Sequence, residues 1–336
     1  MALFRCNKCG HLQEVGNDYI GKSAKCPQCQ QTAPIYDTVQ FVEKVLEKYF
    51  KQQKELLKLQ QTTNEVNLLE IQVIDKPEEE FFSLKDVDIL NTTELTNDHQ
   101  YLPIIKWFAT KQVKVTVNPK ELDTTGFFDE VALELGNNYE MLKEITDKIK
   151  RIQKKGYTNI NFPLAQKSQK HLQEIVKFCD QLHKYAFVAK NYYQKQDKLI
   201  KLTLQTAPAI VQFFNGVWLE WFVFVKMLHF LRERQLSFSG ARSIIVTLPN
   251  EDYHELDTFF LIDNRIPICI ECKTGEFRQD LDKYSKLRKR LSVDKSQFLL
   301  CVVGLSDEQA QGLTSMYEVT LVNEKTFLPH VEQLLR

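Results

Sequence analysis

Hydrophobic residues in the last third of the chain fall into short blocks separated by turn-formers. Leu256 to Ile262 and Ile266 to Cys272 are rich in aromatic and branched residues, and Asp263–Asn264–Arg265 between them predicts a hairpin. Around it, Ala207 to Leu231 reads as a long buried helix and Ser243 to Leu248 as a strand. Asp280 to Leu291 then reads as a charged amphipathic helix, Gln297 to Val303 as a strand and Asp307 to Met316 as a helix. Tyr317 to Val322 closes as a strand and Phe327 to Leu335 as a helix. This alternation predicts a mixed α/β sheet covered by helices on both faces.

The earlier chain is less regular. Asp37 can cap a helix reaching about Gln60, and 64–96 reads as an acidic, turn-rich linker, with a strand open over Val66 to Ile74. Gln112 to Val117 alternates like a strand, and Thr124 to Asp129 reads as a turn entering a helix. Leu142, Ile145, Ile149 and Ile152 give Tyr139–Lys155 a helical stripe that stops at Gly156. Leu172, Ile175, Cys179 and Leu182 extend the same period over Leu164 to about Leu202, predicting an antiparallel helical pair. Four regions are expected: 1–36, 37–135, 136–206 and 207–336.

The hairpin places unusual chemistry on one face. Folding it about Asn264 sets Asp257 opposite Glu271 and Glu255 opposite Lys273, all four side chains on the same side. Facing carboxylates repel, so a sheet that keeps them implies a cation between them. Hard oxygen ligands suit Mg²⁺ or Mn²⁺. Lys273 is placed to orient a water or to stabilise developing charge.

Asp257, followed after a short hairpin by Glu271–Cys272–Lys273, resembles the signature of the PD-(D/E)XK nuclease superfamily, with Leu256 where that pattern has proline. The order of helix, three strands, helix and strand after Thr206 agrees with it. Together with Gly216–Val–Trp–Leu–Glu220 and Glu271–Cys–Lys–Thr–Gly275, the segment is similar to the nuclease domain of CARF-linked CRISPR ancillary nucleases. The resemblance covers about the last third of the chain. It implies a restriction-endonuclease-like mixed sheet and metal-dependent endonucleolytic hydrolysis of nucleic-acid phosphodiesters, with DNA favoured over RNA. It further implies Asp257, Glu271 and the Cys272 backbone carbonyl as ligands of Mg²⁺ or Mn²⁺. Lys273 would act on the attacking water, and Glu220 would be a further acid on the first helix. A helical middle leaves no room for a CARF-type sensor, so control by a cyclic nucleotide is not implied. A role in defence or mobile-element processing fits. The alternatives are a non-catalytic nucleic-acid-binding or assembly protein, and a nuclease that needs a partner or ligand to become active.

The amino terminus carries an independent signal. Cys6–Asn–Lys–Cys9 and Cys26–Pro–Gln–Cys29 form two knuckles separated by sixteen residues. Four thiolates at this spacing predict a closed, structural Zn²⁺ site in a ribbon, serving nucleic-acid or protein docking rather than catalysis. Cys179, Cys269, Cys272 and Cys301 lie in apolar contexts and read as buried thiols, a usage suited to a reducing, cytoplasmic setting.

Charge limits the partners. Forty-four basic and 44 acidic residues cancel, so a nucleic-acid surface has to be local. The lysines of 148–184 read as a solvated helix face. Asn215, Glu220, Lys226 and His229 interrupt the apolar run at Ala209–Leu231, which therefore reads as a buried helix and not a membrane span. A homodimer is compatible with the helix after Asp37.

Overall fold

The computed structural model describes residues 2–6, 8–9, 11–39, 84, 95–122, 124 and 126–336. The expected helix to Gln60, the linker and the Val66–Ile74 strand fall almost wholly outside them. At the edge of that gap the Asp37 carboxylate accepts the Val39 N–H at 3.0 Å, as a helix-capping residue does. Contacts divide the chain into two units, Met1–Glu79 and Glu80–Arg336.

The first unit holds four short strands, β1 (Ala2–Arg5), β2 (Leu12–Val15), β3 (Ser23–Lys25) and β4 (Thr32–Asp37), in the order β2-β1-β4-β3. All pairs are antiparallel. Its core is small: Ala2, Phe4, Cys6, Cys26, Ala33 and Ile35. A core of this size gives little hydrophobic stabilisation, and such modules depend on a cross-link.

The second unit is built on a six-stranded sheet. Its strands are β5 (Lys114–Thr116), β9 (Phe238–Thr247), β10 (Tyr253–Ile262), β11 (Ile266–Lys273), β12 (Phe298–Val302) and β13 (Thr320–Val322). Their order is β13-β12-β11-β10-β9-β5. The β11–β12 and β12–β13 pairs are parallel and the others antiparallel, which gives the mixed sheet expected. The hairpin turn puts Asp263 and Asn264 at φ 49° and 53°. Ile262 pairs with Ile266 across a three-residue connection, Asp263–Asn264–Arg265, and Asp and Asn tolerate the two successive left-handed positions of its turn.

Helix α1 (Leu102–Ala109) precedes β5, and helices α2 (Phe128–Asn137), α3 (Tyr139–Lys154) and α4 (Gln169–Lys184) lie between β5 and β9. The long apolar run then forms α5 (Pro208–Gln212), a wider π-type turn over Phe213–Val217, and α6 (Trp218–Glu233). The expected single helix is therefore broken at Gly216, whose φ is 154°. A Cβ there would sit 3.2 Å from Thr274 Oγ1, so both conformation and space favour glycine. By length and composition Pro208–Glu233 is long and apolar enough to cross a bilayer. Here ten α6 residues are buried, and the helix packs on β9, β10 and β11 and against α2. Helices α7 (Leu281–Arg290), α8 (Asp307–Met316) and α9 (Phe327–Leu334) complete the unit. Ser306 and Gln309 form a capping box that starts α8.

One expectation fails. Leu164 to Leu202 is not a continuous helix. After α4 the chain makes β7 (Val188–Gln194) and β8 (Leu199–Leu204), which join β6 (Asn159–Pro163) in an antiparallel sheet of order β6-β8-β7. The region read as helical is therefore α/β. The break comes at Ala186, held at φ 60°, and inward Ile200, Leu202 and Leu204 then recur every second residue.

Candidate active site

Asp257 stands where the β10 ladder opens. On one side the β10–β11 pairing ends at Thr258↔Ile270, so Asp257 and Glu271 follow one step beyond in the same register. On the other side the β9–β10 pairing skips Asp257, and its opposite number Ser243 is at φ 48°. Strained backbone of this kind is kept where the surroundings require it. The freed Asp257 carboxylate turns across the gap and accepts the Cys272 N–H at 2.7 Å.

Glu271 is 3% exposed, and its Oε1 is buried with no hydrogen-bond partner. A carboxylate oxygen left so carries a full desolvation penalty. Burial, and then the Asp257 charge, push the Glu271 acid well above the ordinary range. Burial likewise raises Asp257 to about 6, against the opposing pull of the Cys272 N–H and Lys273. Glu220, on the first turn of α6, is pushed up to about 8 by burial and then by Asp257. The sheet and α6 thus bring these three acids into one electrostatic group.

The basic partners differ from the simplest expectation. Lys273 Nζ pairs with Asp280 Oδ2 at 3.0 Å and lies 5.6 Å from the centre of the Tyr284 ring. Glu255, set opposite Lys273 by the hairpin register, is exposed on the strand. Glu220 pairs with Arg242, Nη1 to Oε2 at 3.2 Å. Arg242 is 2% exposed; its Nη2 reaches Glu121 Oε2 at 3.7 Å and its Nε donates to the Glu121 carbonyl at 3.1 Å. Its guanidinium lies 4.1 Å from the Trp221 ring centre. Arg242, Asp280 and Tyr284 were missed by sequence reasoning. A lone arginine within the apolar β9 run was the available signal for the first; nothing local marks the other two.

The acids fit a hard divalent cation in part. Half-buried Asp257 and buried Glu271 stand at opposed positions of the hairpin, and Glu271 offers an unsatisfied oxygen, as a metal pair requires. Glu220 does not join them as a third converging ligand. Among the described residues, the one group of three or more His, Cys, Asp or Glu ligand atoms drawn tightly together is the four amino-terminal cysteines.

Those sulfurs all lie within 4.8 Å of one another. Cys6 Sγ is 3.4 Å from Cys29 Sγ and Cys9 Sγ is 3.6 Å from Cys26 Sγ. A tetrahedron with bonds of about 2.3 Å has edges of about 3.8 Å, so the cluster is close to a zinc site's dimensions. Backbone N–H groups of Cys9 and Lys8 pull the Cys6 thiol down to about 6, while Cys29, against the pull of the Gln31 backbone, is pushed up to about 12 by its hydrogen bond to Cys6, so the metal-free cluster favours one thiolate at a time. Cys179, Cys269 and Cys301 are buried, and Cys272 is half-buried.

No protein-family description matches the chain, and no curated protein does. Among solved structures, protein VC1899 from Vibrio cholerae overlaps 69% of this chain and 60% of its own, at 18% identity and a TM-score of 0.46. Can2 from Sulfobacillus thermosulfidooxidans, solved with cyclic tetra-adenylate, overlaps 70% of this chain and 61% of its own, at 16% identity and a TM-score of 0.48. The chain thus spans about three-fifths of either structure. Overlaps this loose carry no weight for the site, which stands on its own geometry.

Proposed function

We propose that the chain is a metal-dependent nuclease, and that the observation carrying this reading is half-buried Asp257 opposite buried Glu271, beside Lys273, at the point where β10 leaves its ladder. Asp257, Glu271 and the Cys272 carbonyl would hold Mg²⁺ or Mn²⁺. When bound, the ion lowers the pKa of a water and offsets charge developing on the phosphodiester. The chain's own residues do the rest. The Cys272 N–H fixes the Asp257 carboxylate, and Asp280 holds the Lys273 ammonium in the site, where it orients the attacking water. Glu220, with a pKa of about 8 and one oxygen on Arg242, exchanges a proton near neutral pH and can serve the leaving group.

Four cavities of about 320 to 670 Å³ are lined by neither Asp257 nor Glu271 nor Lys273. A polymer substrate approaching across a sheet end needs no enclosed pocket. DNA is the favoured substrate on the strength of the motif's resemblance, and defence or mobile-element processing the fitting role. In the first unit Cys6, Cys9, Cys26 and Cys29 would hold structural Zn²⁺, giving a docking module for nucleic acid or a protein partner. A second reading, a nuclease awaiting a partner or ligand, draws on Lys273 being engaged by Asp280.

The test is incubation with single- and double-stranded DNA and RNA in Mg²⁺, Mn²⁺ or EDTA, beside Asp257→Ala and Lys273→Ala. Metal-dependent cutting lost in both variants is expected. No cutting with any substrate or metal, and unchanged nucleic-acid binding in both variants, would favour a binding protein or the partner-dependent form.

A further inference from the structure

The chain's zero net charge hides a strong local imbalance. Between Lys148 and Lys201 there are thirteen lysines and arginines against three acids, Glu174, Asp180 and Asp197. This stretch makes the second half of α3, β6, α4, β7 and the first half of β8. The sequence pattern reads the lysines of 148–184 as a solvated helix face; Lys190 and Lys201 lie beyond them, on the three-stranded sheet.

The sheet has two unlike faces. Ile160, Phe162, Ile200 and Leu202 are buried on the inner face. There Asn191 Nδ2 donates to Asp180 Oδ1 of α4 at 2.7 Å, so α4 covers that side of β7 and takes one of the three acids with it. The outer face carries two polar rows in register. Asn161 pairs with Lys201 and Lys201 with Tyr192; Asn159 pairs with Thr203 and Thr203 with Lys190. Asn159, Asn161, Lys190 and Lys201 are exposed, and Tyr192 is 62% exposed.

We propose that this outer face is a platform for single-stranded nucleic acid, with Tyr192 stacking on a base, Lys190 and Lys201 meeting phosphates, and Asn159 and Asn161 offering amides to base edges. The inference rests on the nuclease reading, whose substrate it narrows. A polyanion is what an excess of ten positive charges complements. An aromatic ring on an open antiparallel sheet can stack only on a base freed from a duplex, which selects the single strand. The platform is also tied to the active site. Lys150 Nζ of α3 donates to the Asn215 carbonyl at 3.0 Å, and Thr274 Oγ1, next to Lys273, donates to the same oxygen at 3.4 Å.

Binding is tested by fluorescence anisotropy on the full chain carrying Glu271→Gln, in EDTA, with a labelled mixed-sequence single-stranded DNA, the matching RNA and the DNA duplex. Tyr192→Ala is expected to weaken single-strand binding about tenfold. Lys190→Gln with Lys201→Gln is expected to flatten the slope of log affinity against log salt by about 1.4, at about 0.7 per phosphate contact. Lys325→Gln, a charge outside this face, should leave the slope unchanged. The stronger of the DNA and RNA arms identifies the strand. Unaltered affinity and slope in the Tyr192 and lysine variants, or tighter duplex binding indifferent to Tyr192, overturns the platform. A separate cleavage assay keeps the two readings apart. If Glu271→Gln still cuts, the active-site reading fails while the binding result stands. If it is inactive and Tyr192→Ala binds normally, the platform alone fails.

Discussion

Asp257→Asn separates a metal ligand from an ordinary structural acid, because the fold pays for the charge only while no cation is bound. Burial raises Asp257 from its ordinary 3.8 to about 6. Two units at about 1.4 kcal/mol each make the ionised carboxylate about 3 kcal/mol unfavourable for folding. Asparagine removes that penalty and retains a carbonyl acceptor for the Cys272 N–H, giving up about 1 kcal/mol of charge-assisted hydrogen bonding. The sign follows from proton binding. Between pH 3.8 and 6 the fold keeps a proton that the unfolded chain has lost, so stability falls as pH rises through this window. In EDTA the variant should therefore have no advantage near pH 4 and an advantage of about 2 kcal/mol above pH 7. Urea unfolding followed by tryptophan fluorescence is the assay. Trp107, Trp218 and Trp221 all belong to the second unit, so the first does not contribute. Adding Mn²⁺ should then stabilise the wild type and not the variant. A stability difference independent of pH, or equal stabilisation of both proteins by Mn²⁺, would refute the reasoning.

Three further outcomes are expected. Lys273→Ala should lower cleavage about 100-fold or more while keeping the Mn²⁺-induced thermal shift, measured by gel assay and calorimetry. Arg242→Met strips Glu220 of its partner and should cost about 3 kcal/mol at alkaline pH; with Arg242 gone Glu220 takes up its proton at higher pH than the wild type's, so the cost should shrink as pH falls towards 8, and Arg242→Lys should recover part of it in the same urea titration. Cys6→Ser with Cys9→Ser should release zinc to a colorimetric chelator without moving the tryptophan-monitored unfolding midpoint.

The carboxy-terminal elements were legible because each is bounded by turn-formers and has one period. The hairpin could be read to its register, since Asp263 and Asn264 leave little choice of turn. The middle misled for the opposite reason. From Leu164 to Leu202 there is neither proline nor glycine, so an apolar period that begins as helical gives no stop signal. The two-residue period of Ile200, Leu202 and Leu204 was present but short, and Ala186 took the left-handed turn that glycine usually marks. At the site, the acids and lysine could be found because two facing carboxylates in a hairpin are anomalous. Arg242, Asp280 and Tyr284 are ordinary residues whose roles come only from tertiary neighbours.

The order of strands has a consequence for how such a protein can change. β5 leaves the main sheet at Thr116 and the chain returns to it only with α6 and β9, so everything between is an excursion closed at both ends on the same scaffold. Lengthening a closed loop adds little entropic penalty, growing only with the logarithm of its length. Insertions near the tip of the β7–β8 hairpin, around Lys195 to Lys198, would leave Asp257 and Glu271 where they are. On the proposed reading, the face that would bind and the site that would cut are thereby free to diversify at different rates.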